Sequence, residues 1–195
     1  ASTIDAMIYA FGGKIVTGTK THFGSPESVA VFRFFETLAK EELGFMIGGG
    51  TYEDREAVAQ GRAAFMMRSS TSLPFLREGM AENLDALGVT RIPQSDPDNP
   101  VTVLFGPNIC VFNIGGDQAK RAWDFIRAEY EYNKTPFECL HFARPEPNVP
   151  GWQEVRDLIE RAQTGVMTGK LTAGEAAHTL EEDADAVLAR KAGEA

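Results

Sequence analysis

The chain has 195 residues, enough for one substantial core or two modest ones. With 43% hydrophobic and 24% charged residues it reads as an ordinary globular protein, and no apolar run reaches the length of a membrane-spanning helix. Asp and Glu number 28 against 19 Lys and Arg, a formal charge of −9. That acidic balance argues against a phosphate-backbone binder, so no nucleic-acid partner is expected.

In chain order, Ala1-Ser2-Thr3-Ile4-Asp5 carries no initiator Met, basic segment or apolar h-region, as a mature chain or an excised fragment would. Met7 to Phe11 is apolar, Gly12-Gly13 breaks it, and Lys14-Ile15-Val16 continues as a short extended piece. Ser25-Pro26 then opens a helix, Ser as N-cap and Pro at its first position. Its inner face is expected from Val29, Phe32, Phe35 and Leu38, widened by Val31, Phe34 and Leu43, with Gly44 as C-cap. Gly48-Gly49-Gly50 makes a loop, and Thr51 to Asp54 resembles a capping box for a short helix ending before Gly61.

Ala63 to Met67 reads as a buried strand, followed by Ser69 to Ser72 and then by Leu73-Pro74-Phe75-Leu76 as a first helical turn. Val89 to Ile92 is a second strand closed by Pro93, and Gln94 to Pro100 is a surface loop. Val101 to Leu104 and Ile109 to Phe112 are strand-like on either side of Gly106-Pro107-Asn108. Asp117 caps a helix to about Tyr130 with Ala119, Ala122, Trp123 and Ile126 inside. Residues 131–151 are proline-rich and irregular. Trp152 to Ala162 is amphipathic through Val155, Leu158 and Ile159, and Thr172 to Glu175 is a capping box for a last helix. Strands separated by helices give an α/β fold class.

Catalysis has no strong carrier in this sequence. His22, His141 and His178 lack partners at metal-ligand spacing, so no metal and no cofactor is expected. Cys110 and Cys139 are small buried hydrophobes or else one disulfide. Carboxylate runs such as Glu181-Glu182-Asp183 are solvated helix faces. The Gly61 to Leu76 segment differs, because an apolar strand delivers Ser69, Ser70, Thr71 and Ser72 to a helix start. Such a turn suits an anion or a polyhydroxyl ligand, or is simply an N-cap with polar neighbours. Arg144, in Phe142-Ala143-Arg144-Pro145, is either aimed at a phosphate or an ordinary exposed arginine.

Taken together, the ordered set of Gly12-Gly13, Ser25-Pro26-Glu27, Gly61-Arg62-Ala63-Ala64-Phe65-Met66, the serine turn, Ile92-Pro93, Phe105-Gly106, Ala119 to Ile126 and Thr164-Gly165 resembles the later half of a family 1 extracellular solute-binding protein. Within that family the likeness is greatest to glycerol-3-phosphate and glycerophosphodiester binding proteins. Phe65 departs from the methionine usual at its position. The resemblance implies a type II periplasmic-binding-protein fold without enzymatic turnover, with residues 1–102 and 136–195 in the C-terminal lobe. Residues 103–135 would be a crossover strand and helix of the N-terminal lobe. It further implies ligand contacts at Ser70, Ser69, Ser72, Phe105, Gly106 and Arg144, with Arg144 gripping a phosphate and Gly106 allowing close backbone approach.

The implied partners are a small polar solute (a phosphorylated glycerol derivative, or a sugar), an ABC permease and the missing N-terminal half of the fold, or a second copy of the chain by swapping. A periplasmic or extracellular location follows, with lipid anchoring of the full-length protein as one form of it. The competing class is a small hydrolase or transferase with an unrecognised site.

Overall fold

A computed structural model describes residues 2–47, 51–104, 117–118, 120–121, 123–124, 127 and 138–194. Apolar helix-forming residues with one buried acid give α1, Ser2–Ala10, which ends at the Gly12-Gly13 turn. Two short strands follow, β1 (Val16–Thr17) and β2 (Lys20–Thr21), paired antiparallel. Ser25 then starts α2, Pro26–Lys40: its hydroxyl accepts the Ser28 N–H at 3.3 Å. Next come α3 (Glu53–Ala59), a 3-10 turn at Ser70–Ser72, α4 (Leu73–Gly79) and a second 3-10 segment at Ala81–Ala86. Strand β3 (Thr102–Leu104) pairs in parallel with β4 (Ala143–Pro145), which a 3-10 turn at Cys139–Phe142 introduces. Helices α5 (Trp152–Met167) and α6 (Ala173–Gly193) close the chain. The described residues are thus mixed helix and sheet, with helix dominant.

The core lies where α1, α2, α5 and α6 meet. Ile4, Met7 and Ile8 of α1 join Val31, Phe32 and Phe35 of α2, Val155, Ile159 and Val166 of α5, and Ala176, Leu180, Ala184 and Leu188 of α6. Small alanines along α6 let the neighbouring helices approach closely. The β1–β2 ribbon is fastened to α6 by Asp185, which accepts the Thr21 N–H at 2.7 Å and pairs with Lys20 at 2.9 Å. Gly151 holds the start of α5 at φ 87°, a left-handed conformation that glycine adopts without strain. The Thr172 capping box is present in full: Thr172 Oγ1 accepts the Glu175 N–H at 3.3 Å, and Glu175 Oε2 accepts the Thr172 N–H at 2.9 Å. Thr172→Ala should therefore lower the melting temperature by a few degrees in a calorimetric scan; an unchanged transition would show that α6 does not need this cap.

Several sequence expectations are corrected here. Helix α2 ends at Lys40 rather than near Gly44; Glu42 takes the left-handed position, at φ 55°, and Leu43 is exposed. Helix α3 has Tyr52 at its cap position with no side-chain cap, because Asp54 is turned to Arg68 and to the Arg55 N–H instead. The stretches 63–67 and 89–92 are not strands: a strand needs a hydrogen-bonded neighbour, and none of the described residues pairs with either. Conversely, the proline-rich stretch expected to be irregular contains β4, because Ala143 to Pro145 lie beside β3. Trp123 is exposed rather than facing inward. Gly48-Gly49-Gly50, the 109–112 strand, Cys110, Ala119, Ala122 and Ile126 lie outside the described residues.

Candidate functional site

The serine turn forms as its sequence suggests. Ser69, in extended conformation, accepts the Thr71 N–H at 3.3 Å and its hydroxyl lies 3.0 Å from the Thr71 hydroxyl. Ser70 and Thr71 are exposed, whereas Ser72 is only 3% exposed and sits beside buried Leu73. Leu73 and Leu76 of α4 are buried, as is Ala57 of α3, and these two helices pack on one another. Arg68, immediately before the turn, pairs with Asp54 and donates to the Thr51 carbonyl at 3.5 Å, which ties the turn to the start of α3.

Arg144 belongs to a different neighbourhood. On β4, opposite Val103 of β3, it is exposed and its guanidinium carbon lies 5.5 Å from the Tyr9 ring centroid. The structure therefore brings Ser69, Ser70 and Ser72 together at one turn, while no hydrogen bond or ring contact among the described residues joins them to Arg144. Phe105 and Gly106 lie outside the described residues.

Close to Arg144 is a cluster that the sequence reading missed. Asp5 of α1 is fully buried, and neither carboxylate oxygen has a hydrogen-bond partner. Burial pushes its pKa from 3.8 to about 8; the Glu146 charge acts in the same direction, as does Glu146 as acceptor for the proton that Asp5 then carries. Glu146 is itself held by Arg156 at 3.1 Å and by the Ser2 hydroxyl at 3.4 Å. Burial and then the Asp5 charge push the Tyr9 hydroxyl up as well. A lone acid among Ile4, Ala6, Met7 and Ile8 was the signal in the sequence.

A depression of about 570 Å³ lies elsewhere, between the end of α2 and the α5–α6 turn, lined by Glu36, Lys40, Met167, Lys170 and Leu171 among others. It contains none of the candidate ligand-binding residues Ser69, Ser70, Ser72 and Arg144. His22 contacts the Thr17 hydroxyl at 2.9 Å, and His178 is exposed beside Glu182. Cys139 is a part-buried free thiol. Among the described residues no three His, Cys, Asp or Glu side chains form a group able to hold a metal ion, and no helix is long and apolar enough to cross a membrane.

No family model matches the chain, and no curated protein does. Solved structures do. An ABC transporter solute-binding protein from Thermotoga lettingae, bound with alpha-D-tagatose, superposes with a TM-score of 0.71 at 21% identity over 96% of this chain and 56% of that one. The GacH receptor of Streptomyces glaucescens, solved unliganded and with acarbose, gives 0.72 at 13% identity over 95% and 56%. A candidate oligosaccharide periplasmic-binding protein from Synechococcus gives 0.71 at 16% identity over 98% and 60%. The fold is therefore that of periplasmic binding proteins, and the chain spans a little over half the length of these structures.

Proposed function

We propose that this chain is part of the solute-binding component of an ABC importer, working outside the cytoplasm by capturing a small polyhydroxyl solute, most simply a sugar, without chemical turnover. The observation that carries this reading is the fold match over nearly the whole chain to solute-binding proteins, two of them solved with a saccharide or acarbose. Capture in this fold requires two lobes that close on the ligand, and the chain covers only a little over half of those structures. The remaining lobe and a membrane permease are therefore its proposed partners. In the proposed division of the chain, residues 1–102 and 136–195 build one lobe and 103–135 cross to the other.

The hydroxyls of half-buried Ser69 and exposed Ser70 are the proposed polar contacts on this side of the cleft, while Ser72 in the same turn is buried. Phe105 and Gly106 would add a backbone contact. A phosphorylated glycerol is the second reading, and exposed Arg144 is what favours it. Titration calorimetry of the complete protein with D-tagatose, acarbose, maltotriose and glycerol 3-phosphate separates these. The sugar reading expects saturable binding of a saccharide, weakened about tenfold in Ser70→Ala. The phosphate reading expects glycerol 3-phosphate to bind and Arg144→Ala to abolish that binding; equal affinity in wild type and variant would remove Arg144 from the site. Product formation from any of these compounds would overturn both readings.

A further inference from the structure

One face of α1 meets one face of β4 across a polar seam. Ser2, Asp5 and Tyr9 fall at three- and four-residue steps, so they share a side of the helix. Arg144 on β4 and Glu146, two residues on, share a side of the strand, whose pairing continues as the Glu146 N–H donates to the Leu104 carbonyl at 3.1 Å. The two rows match. The Arg144 guanidinium carbon lies 5.5 Å from the Tyr9 ring centroid, and the Ser2 hydroxyl donates to Glu146 at 3.4 Å. From α5, Arg156 donates to Glu146 at 3.1 Å and to the Ser2 hydroxyl at 3.3 Å. Asp5 is fully buried and receives a hydrogen bond on neither oxygen.

An acid facing an acid holds a seam together only while one of them carries a proton. Burial, and next the Glu146 charge, raise the Asp5 pKa to about 8; Glu146 also accepts from the protonated carboxyl, while the amino terminus and Arg156 pull the other way. The remaining titratable groups here are Tyr9, whose hydroxyl is itself pushed up, and Arg144. Strand β3 (Thr102–Leu104) adds no charge, and α2 adds apolar core side chains. What the seam holds is slight: two three-residue strands, with Leu104 50% exposed. Ser95, ahead of β3, adds a second fastening through its hydroxyl and N–H, which donate to the Ala10 carbonyl at 3.0 and 3.1 Å. Helices α2, α5 and α6 instead share the apolar core, so lifting the strands away costs less than unfolding the chain.

We infer that Asp5 and Glu146 form a proton-held clasp: protonated, it keeps the β3–β4 pair docked on α1, and ionised, it lets that pair lift away while α2, α5 and α6 stay folded. In the proposed division of the chain the crossing 103–135 starts in β3 and ends ahead of β4, so the clasp acts where the lobes join; that consequence rests on the capture reading above. The test is native-state hydrogen exchange by NMR on the complete protein, Asp5→Asn and Glu146→Gln, from pH 5 to pH 8.5, corrected for intrinsic rates. In wild type the opening constant at the Glu146 N–H should rise about tenfold per pH unit and level off near pH 8. The buried α6 amides of Leu180 and Ala184 should stay at least about tenfold better protected throughout. Asp5→Asn should abolish the pH dependence. Glu146→Gln leaves Arg156 without its anion, so the levelling should come at lower pH, and this variant carries the test if Asp5→Asn does not fold. Equal protection of Glu146 and the α6 amides at every pH would overturn the clasp, because Asp5 would then ionise only when the whole chain unfolds. A slope that survives in Asp5→Asn, or a levelling point unmoved in Glu146→Gln, would overturn it too. The exchange readout needs no solute, so a failure of capture shows separately, in the calorimetry.

Discussion

Asp5→Asn is expected to stabilise the protein at and above neutral pH and to change little near pH 4. Asp5 is fully buried without a hydrogen-bond partner, and its pKa is raised from 3.8 to about 8. The folded state therefore holds a proton that the unfolded chain releases, and stability falls as pH rises from about 4 to about 8, then levels. The slope is about 1.4 kcal/mol per pH unit, so at pH 7 the ionisable group destabilises the fold by on the order of 4 kcal/mol relative to a neutral isostere. Asparagine has nearly the same shape and no charge to desolvate, and its amide could donate toward Glu146. Urea unfolding of both proteins at pH 4.5 and pH 8 should show curves that converge at the lower pH and separate at the higher one. Parallel stability at both pH values would mean that Asp5 is ionised in the folded state.

That cluster also bears on the proposed site. Glu146, which faces Asp5, follows Arg144 by two positions and is clamped by Arg156 and Ser2. Arg144 and Asp5 both act on the Tyr9 ring and its hydroxyl. Ionising Asp5 would add a second negative charge under this corner of β4, and the same Asp5→Asn variant would remove it. The pH dependence of any Arg144-dependent phosphate binding should then differ between wild type and Asp5→Asn, which ties the stability effect to the site by a single substitution.

The parts of the fold that were legible are those fixed by neighbours in sequence. Ser25-Pro26 and the Thr172–Glu175 box set helix starts through contacts within one turn, so spacing alone revealed them. The apolar positions of α5 followed from helical periodicity in the same way. Strands were misread because pairing is a non-local condition: an apolar run such as Ala63 to Met67 meets the compositional test, but no described residue pairs with it, while Ala143 to Pro145 fails that test and pairs with β3. The serine turn was visible as a cluster of hydroxyls. The Arg55 contact with the Phe75 ring was not, because only tertiary packing of α3 on α4 brings Phe75 to Arg55.

Phe32→Ala and Phe65→Ala should behave as opposites, although both phenylalanines sit in apolar stretches of sequence. Phe32 is fully buried where α2 meets α5 and α6, so truncation removes a ring from the core and leaves a cavity that three packed helices cannot easily close. A loss of about 3–5 kcal/mol is expected, a large share of the stability of a domain this size, and urea denaturation should register it as a lower midpoint with little change in slope. Phe65 is 86% exposed, and its replacement should move stability by no more than about 0.5 kcal/mol in this chain alone. The contrast becomes informative when the proposed second lobe is present. If that lobe covers Phe65, the same Phe65→Ala substitution should become destabilising in the complete protein while the Phe32→Ala effect stays as it was. An effect of Phe65→Ala that is equally small in both settings would show that the Phe65 ring stays in solvent and that the lobe packs elsewhere.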